Sequence, residues 1–180
     1  MEILKFNVES KSEMIEYLRK FDSNQLLLGE NSEVEGGGYI FQVNLSEGVR
    51  FTVGVITEGH GLEPECKYVD DKLLIGFNKE VHIIDISNNE NKIISADSLF
   101  YEFASWVNSN KIVAIFELEI MCFSLEGNKH WRYFTDVINE YSIENNKVNI
   151  VTDLGEETIS LLTGEKIYSR YDTYCKKYYN

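Results

Sequence analysis

The fold is decided by the stretch KIVAIFELEIMCFSLEGNKHWRY, which runs from Lys111 to Tyr133. Its two apolar runs, 112–116 and 120–123, are rich in β-branched and aromatic residues, and a corner with a glycine follows at 124–127. Short runs of this kind, bounded by Gly and Asn, predict β-strands. Trp131 closes a third strand, so the stretch predicts three consecutive strands with tight connections.

The same pattern recurs on both sides of this stretch. Lys72, Lys111 and Lys147 each precede a predicted strand and follow a turn with Asp or Asn, and they are spaced 39 and 36 residues apart. Four strands in a period near 40 residues are typical of a β-propeller blade. We therefore predict three sets of four strands, with runs at 66–69, 73–77, 81–86 and 92–96, at 101–107, 112–116, 120–125 and 130–134, and at 139–143, 148–151, 158–162 and 166–171.

Two of these sets resemble the repeat of quinoprotein-type and WD-like β-propellers. The quinoprotein repeat has an Asp, a Leu, then Thr-Gly-Lys and a Trp four residues after the Gly. Ser160 to Tyr168, SLLTGEKIY, is similar, and so is Ser124 to Trp131, whereas Asp85-Ile86-Ser87 in the first set keeps only the Asp. The resemblance covers residues 66–171 and implies that Trp131 and Tyr168 pack between neighbouring blades. It implies the fold alone, because the cofactor ligands of the quinone enzymes have no counterparts here.

Residues 1–65 precede the repeats and differ from them. They predict a short strand at 3–8, a helix at 11–21 with a capping box at Ser10 and Glu13, and a hairpin at 39–56 around Ser46-Glu47-Gly48. Three blades are too few to close a propeller. Either this part forms a fourth, irregular blade or cap, or the array stays open. The prediction is a mainly β fold: an incomplete, three- to four-blade propeller-like array of four-stranded antiparallel sheets with one N-terminal helix, in a single domain with a Tyr-rich tail at 172–180.

The composition narrows the classes of function. The 180 residues carry a formal net charge of −13, which repels nucleic acids and attracts basic proteins, although an acidic surface also serves solubility alone. Cys66, Cys122 and Cys175 have no zinc-site or disulfide spacing. We expect no metal, no cofactor and no membrane association. With no secretory leader visible at Met1, we expect a cytoplasmic protein.

Catalytic motifs are weak in this sequence. The glycine-rich loop at 30–38 carries three glutamates and no Gly-Lys-Ser/Thr, so a phosphate-binding loop is not expected. His60 lies between two glycines and has no nucleophile near it in the sequence. His82 and His130 lie in strand runs, where a histidine usually points to solvent or is hydrogen-bonded. Adjacent carboxylates in polar turns share one environment, which does not separate their pKa values as general acid–base catalysis requires.

The sequence therefore favours a non-enzymatic binding protein. Its size, acidity and β-rich build are similar in character to those of bacterial immunity proteins, which neutralise a cognate toxin, often a basic nuclease; that likeness implies a basic toxin domain as partner. The residues that we expect to contact it are the turn acids Asp70, Asp71, Glu117, Glu119, Asp153, Glu156 and Glu157. Two alternatives stay open: a hydrolase or lyase with a central polar site, and a scaffold that self-associates, for example as a homodimer.

Overall fold

The structure is a computed structural model that describes residues 1–20, 25–29, 37–45, 50–104 and 111–171. Within these ranges it contains one helix and sixteen strands in four sheets. The bounds are β1 Glu2–Val8, α1 Lys11–Leu18, β2 Gln25–Leu28, β3 Gly38–Asn44, β4 Arg50–Ile56, β5 Glu65–Val69, β6 Lys72–Phe77, β7 Glu80–Asp85, β8 Glu90–Ser95, β9 Phe100–Phe103, β10 Lys111–Phe116, β11 Glu119–Ser124, β12 Lys129–Phe134, β13 Glu140–Glu144, β14 Lys147–Thr152, β15 Gly155–Ser160 and β16 Lys166–Tyr171.

The three predicted strand sets form three sheets of the same topology. Sheet II is β5-β6-β7-β8, sheet III is β9-β10-β11-β12 and sheet IV is β13-β14-β15-β16, and every neighbouring pair is antiparallel. The turns before Lys72 and Lys147 consist of Asp70-Asp71 and Asn145-Asn146, all with positive φ. These conformations twist a two-residue hairpin correctly, and Asn and Asp tolerate them. The predicted fold class is thereby confirmed.

Residues before the repeats form a fourth sheet with a different connection. Sheet I has the order β1-β3-β4-β2, in which β2 pairs with β4 in parallel. The outer strand β2 therefore follows α1 in the chain and precedes both β3 and β4. The helix begins as expected: the Ser10 hydroxyl accepts a hydrogen bond from the amide of Glu13 at 3.1 Å, and the Glu13 carboxylate accepts one from the amide of Glu9 at 2.9 Å. The predicted hairpin loop at 46–48 lies outside the described residues.

The sheets stack face to face in chain order, so each interior sheet has two buried faces. In sheet III, Ile112, Ala114 and Phe116 pack on sheet II, whereas Val113 and Ile115 pack on sheet IV. In the same way Leu73 and Ile75 of sheet II pack on sheet I. This alternation explains why the interior strands read as continuous apolar runs.

A repeated contact joins the outer strand of one sheet to a turn of the next. Trp131 of β12 lies over Gly164 in sheet IV so closely that a Cβ on Gly164 would be 2.6 Å from the indole ring. Lys92, which is 39 residues earlier, takes the same position over Gly127, at 3.6 Å from the corresponding Cβ point. The packing role implied for Trp131 matches this contact. The role implied for Tyr168 is wrong, because that ring is 52% exposed on the last described sheet.

The two terminal faces of the stack differ in chemistry. α1 covers the outer face of sheet I with the buried side chains of Met14 and Leu18. The outer face of sheet IV instead carries a polar row in which Thr158 donates to the Asn149 side chain at 2.8 Å. A polar outer face is the usual end of a stacked array. In the described part of the chain, no helix is long and apolar enough to span a membrane.

Candidate protein-binding surface

The strand directions give the stack two ends, and the predicted site residues are divided between them. The connection end is the end at which the chain passes from sheet to sheet, and it comprises 57–64, 77–79, 96–99, 117–118, 134–139 and 152–154. Glu117 and Asp153 lie there. Asp70 and Asp71 are exposed at the opposite end, where Tyr68 donates a hydrogen bond to Asp71 at 2.5 Å. One partner surface therefore does not include all of the predicted acids.

Glu119 is not a surface residue, which corrects its place among the exposed turn acids. It begins β11 with a side chain that is fully buried. Arg132 of β12 donates to both of its carboxylate oxygens, and the amide of Asp97 donates to one of them at 2.7 Å. These hydrogen bonds to Glu119 raise the pKa of Arg132. A buried carboxylate needs such a partner, so the role of Glu119 is to fix the link between sheets II and III.

Glu156 and Glu157 lie on opposite faces of β15, and only Glu156 is exposed to solvent. Glu157 is 8% exposed, accepts a hydrogen bond from Tyr133 at 2.7 Å and pairs with Lys166. Burial, and then the hydrogen bond to Glu157, raise the pKa of Tyr133. Glu156 is exposed on the outer face of sheet IV, where it pairs with Val151 two residues after the connection-end turn at 152–154. Glu157 is therefore a buried, paired carboxylate and not the exposed turn acid that was expected.

Charge is distributed unequally between the two ends. Within the described segments of the connection end, Lys79 is the one basic residue, and two more cations reach this end from strands: Lys5 pairs with Glu63 and Arg132 pairs with Asp97, each at 2.6 Å. The acids there are Glu58, Glu63, Asp97, Glu117, Asp136 and Asp153. At the opposite end, lysines at or near the start of strands stand among the acids: Lys72, Lys92, Lys111, Lys129, Lys147 and Lys166. Acidic side chains therefore outnumber basic ones by more at the connection end than at the opposite end, which makes the connection end the more negative of the two.

Two of the predicted histidine positions line grooves at this end. His82 and Glu80 border a groove of about 570 Å³ between sheets I and II, where the His82 Nε2 lies 2.9 Å from the Glu80 carboxylate. Asn91 hydrogen-bonds the other ring nitrogen of His82, and Phe77 stacks on the ring at 5.2 Å.

His60 borders a second groove, of about 590 Å³, beside Glu58, Asp97 and Glu117. Its Nδ1 accepts a hydrogen bond from the amide of Leu62 at 3.1 Å, so Nε2 carries the proton that is donated to Asn78 at 2.9 Å. His130 is exposed in β12, apart from both grooves. In the part of the chain that the structure describes, no three His, Cys, Asp or Glu side chains are placed to hold a metal ion.

Glu58, Asp97 and Asp136 also belong to the acidic connection end, although the sequence did not predict them. They lie in irregular connections, where no periodicity marks them. The lysines could have indicated which turns lie at the connection end. Each strand that begins with a lysine starts at the opposite end and runs towards the connection end. An antiparallel strand count would have assigned every turn to one end or the other.

Comparisons with known proteins concern the fold and identify no family. The sequence matches no known protein family and no curated protein. Among solved structures it is similar to the CNH domain of AfRom2 (8% identity, 78% of this chain and 48% of that one, TM-score 0.49) and to apo AztD from Citrobacter koseri (9% identity, 83% and 47%, TM-score 0.48). It is also similar to the dihydro-heme d1 dehydrogenase NirN (14% identity, 76% and 33%, TM-score 0.47). These structures are β-propellers, and this chain spans less than half of their length.

Proposed function

We propose that this protein is a non-enzymatic binding protein that captures a basic protein partner at its connection end. The observation that supports this proposal is the separation of charge: the connection end is acidic and the opposite end is mixed. A surface of one sign accelerates the encounter with an oppositely charged partner. The character of an immunity protein, small, acidic and β-rich, makes a basic, nuclease-like bacterial toxin domain the partner class that we favour.

The experiment that tests the proposal is charge reversal with matched placement. The double variant Glu117→Lys/Asp153→Lys changes the connection end, and the control Glu90→Lys/Glu144→Lys makes the same net change at the opposite end, where both side chains are exposed. We expect the first variant to slow association with the purified partner by about tenfold at low salt and to flatten the salt dependence. We expect the control to stay within about twofold. Equal effects of the two variants, or none, would refute the proposal.

A hydrolase or lyase is the second candidate, and the groove that His82 shares with Glu80 is the observation that favours it. Both ring nitrogens of His82 and of His60 already bind protein groups, so neither ring is free to transfer a substrate proton without losing a hydrogen bond. A screen of hydrolase substrates with the parent and with His82→Gln separates the candidates. Turnover that the substitution abolishes would favour the enzyme.

Self-association as a scaffold is the third candidate. It needs a face on which a second copy can pack, and the outer face of sheet IV carries the polar side chains of Ser142, Asn149 and Thr158 beside the exposed Val151 and Tyr168. Polar groups lose water on burial without a gain in hydrophobic energy. We therefore expect sedimentation velocity at micromolar concentration to give a monomer, and a concentration-dependent dimer would favour the scaffold.

A further inference from the structure

Three large apolar side chains are exposed at the acidic connection end. Leu118 is 37% exposed, Phe134 is 58% exposed and Leu154 is 49% exposed. Exposed apolar side chains occur elsewhere on this molecule, Ile93 and Ile167 among them, and single ones need no explanation. These three differ because they lie in adjoining connections at the more acidic end: Leu118 in the β10–β11 turn, Phe134 at the end of β12 and Leu154 in the β14–β15 turn.

The arrangement is repeated in two neighbouring sheets. Glu117-Leu118 forms the β10–β11 turn of sheet III, and Asp153-Leu154 forms the β14–β15 turn of sheet IV, 36 residues later. Each turn thus presents an acid followed by a leucine at the same position of the repeat. Sheet II, whose corresponding turn is Asn78-Lys79, lacks the pattern.

The segment 134–139 joins these two turns into one continuous surface. The amides of Thr135 and Ile138 donate to the carbonyls of Leu118 and Glu117 at 3.0 and 2.8 Å. On the other side, the side chain of Asn139 donates to Asp153 at 2.9 Å. The two turns are therefore held in fixed positions on either side of this segment.

Phe134 is exposed but held in one place. The guanidinium carbon of Arg132 lies 4.2 Å from the centre of its ring, within range of a cation–π interaction. Arg132 is itself held by its hydrogen bonds to the buried Glu119 and by Asp97 at 2.6 Å. An aromatic side chain that is ordered before binding loses little conformational entropy on binding. Such residues supply most of the affinity in protein interfaces, and charged residues at the rim guide the approach.

We propose that Leu118, Phe134 and Leu154 form the apolar centre of the surface that binds the basic protein partner, with Phe134 as its anchor. The proposal rests on the proposed function. The partner complements this surface with an apolar patch bordered by lysine and arginine, facing Glu117, Asp136 and Asp153. Arg132 and Glu119 are positioning residues, which act through the ring of Phe134.

The test begins with photo-crosslinking in the organism that encodes the protein. A benzophenone amino acid replaces Phe134 in one strain and Ile167, which is 52% exposed on β16, in a control strain. We expect a basic polypeptide to be crosslinked from position 134 and not from position 167. The crosslinked protein is then purified, and calorimetry measures its binding to the parent, to Phe134→Ala and to Glu117→Lys/Asp153→Lys.

The affinities separate this proposal from the one on which it rests. We expect Phe134→Ala to weaken binding by about 30-fold or more at every salt concentration, because it removes an anchor and no charge. Phe134→Leu, which keeps an apolar side chain, serves if the alanine variant fails to fold, and should weaken binding by about threefold or more by the same principle. If charge reversal weakens binding and both variants at position 134 bind like the parent, the apolar centre is wrong and the proposed function stands. No crosslink at position 134, a second copy of this chain crosslinked there, or an acidic partner overturns the proposal.

Discussion

Replacement of Gly164 by alanine tests the contact that interlocks sheets III and IV. Gly164 has a φ of +74°, a conformation that costs an L residue about 1 kcal/mol. The new Cβ would also lie 2.6 Å from the indole ring of Trp131. Overpacking against a rigid neighbour costs about 1–3 kcal/mol. We therefore expect Gly164→Ala to lower the free energy of unfolding by about 2–4 kcal/mol, the sum of those two ranges.

Two other glycines separate these costs. Gly61 has a φ of +82° with no heavy atom within 4 Å of its Cβ position, so Gly61→Ala should cost about 1 kcal/mol for the backbone alone. Gly76 has no positive φ, but a Cβ there would lie 2.2 Å from the ring of Phe100 between sheets II and III. Gly76→Ala therefore measures overlap without backbone strain. Urea denaturation followed by far-ultraviolet circular dichroism gives the free energy of unfolding of each variant.

A double-mutant cycle tests whether Trp131 causes the part of the Gly164→Ala cost that exceeds the cost of Gly61→Ala. When Trp131→Ala removes the ring, Gly164→Ala should cost only as much as Gly61→Ala, which gives a coupling free energy of about 1–3 kcal/mol. A cost of Gly164→Ala no greater than that of Gly61→Ala would refute the interlock. A coupling below about 0.5 kcal/mol would refute it as well, since distant and independent sites reach that value.

Three further predictions concern stability and reactivity. Arg132→Ala leaves the carboxylate of Glu119 buried without its partner, so denaturation should show a loss of about 3 kcal/mol; Arg132→Met with Glu119→Leu should lose less, and an equal loss would contradict the ion-pair argument. Burial, and then Glu65, raise the pKa of the Cys66 thiol to about 12. Iodoacetamide should therefore alkylate Cys66 about a thousandfold more slowly at pH 8 than an unperturbed thiol, and the rate should rise with pH; labelling at an ordinary rate would refute this. Ser10→Ala removes the cap of α1 and should cost about 1 kcal/mol in the same denaturation assay, whereas Ser10→Asp should cost little.

The sequence predicted sheets II, III and IV because their determinants are local. Strand periodicity, two-residue turns such as Asn145-Asn146 and the 36- and 39-residue spacing all lie within one repeat. The parallel strand β2 was not predicted, because Gln25–Leu28 is only four residues long and its partner Arg50–Ile56 is distant in the chain, with β3 between them in sequence. Short apolar runs do not specify a distant partner. The packing role of Tyr168 was predicted wrongly for a related reason. A ring at this position is buried only if another sheet follows, and the residue type does not show whether another sheet is present.

The candidate surface was predictable only in part, because it depends on two kinds of information. The end of the stack to which a turn belongs follows from the strand count, since antiparallel strands alternate in direction. On that count Asp70-Asp71 and Glu117 lie at opposite ends, so the sequence already contained that division. Burial of a carboxylate does not follow from a count. Glu117 and Glu119 are two residues apart and both follow an apolar run, yet only Glu119 meets Arg132 across β11 and β12. A carboxylate in these strands is buried where the neighbouring strand supplies a cation to pair with it. Lys166 of β16 plays that part for Glu157.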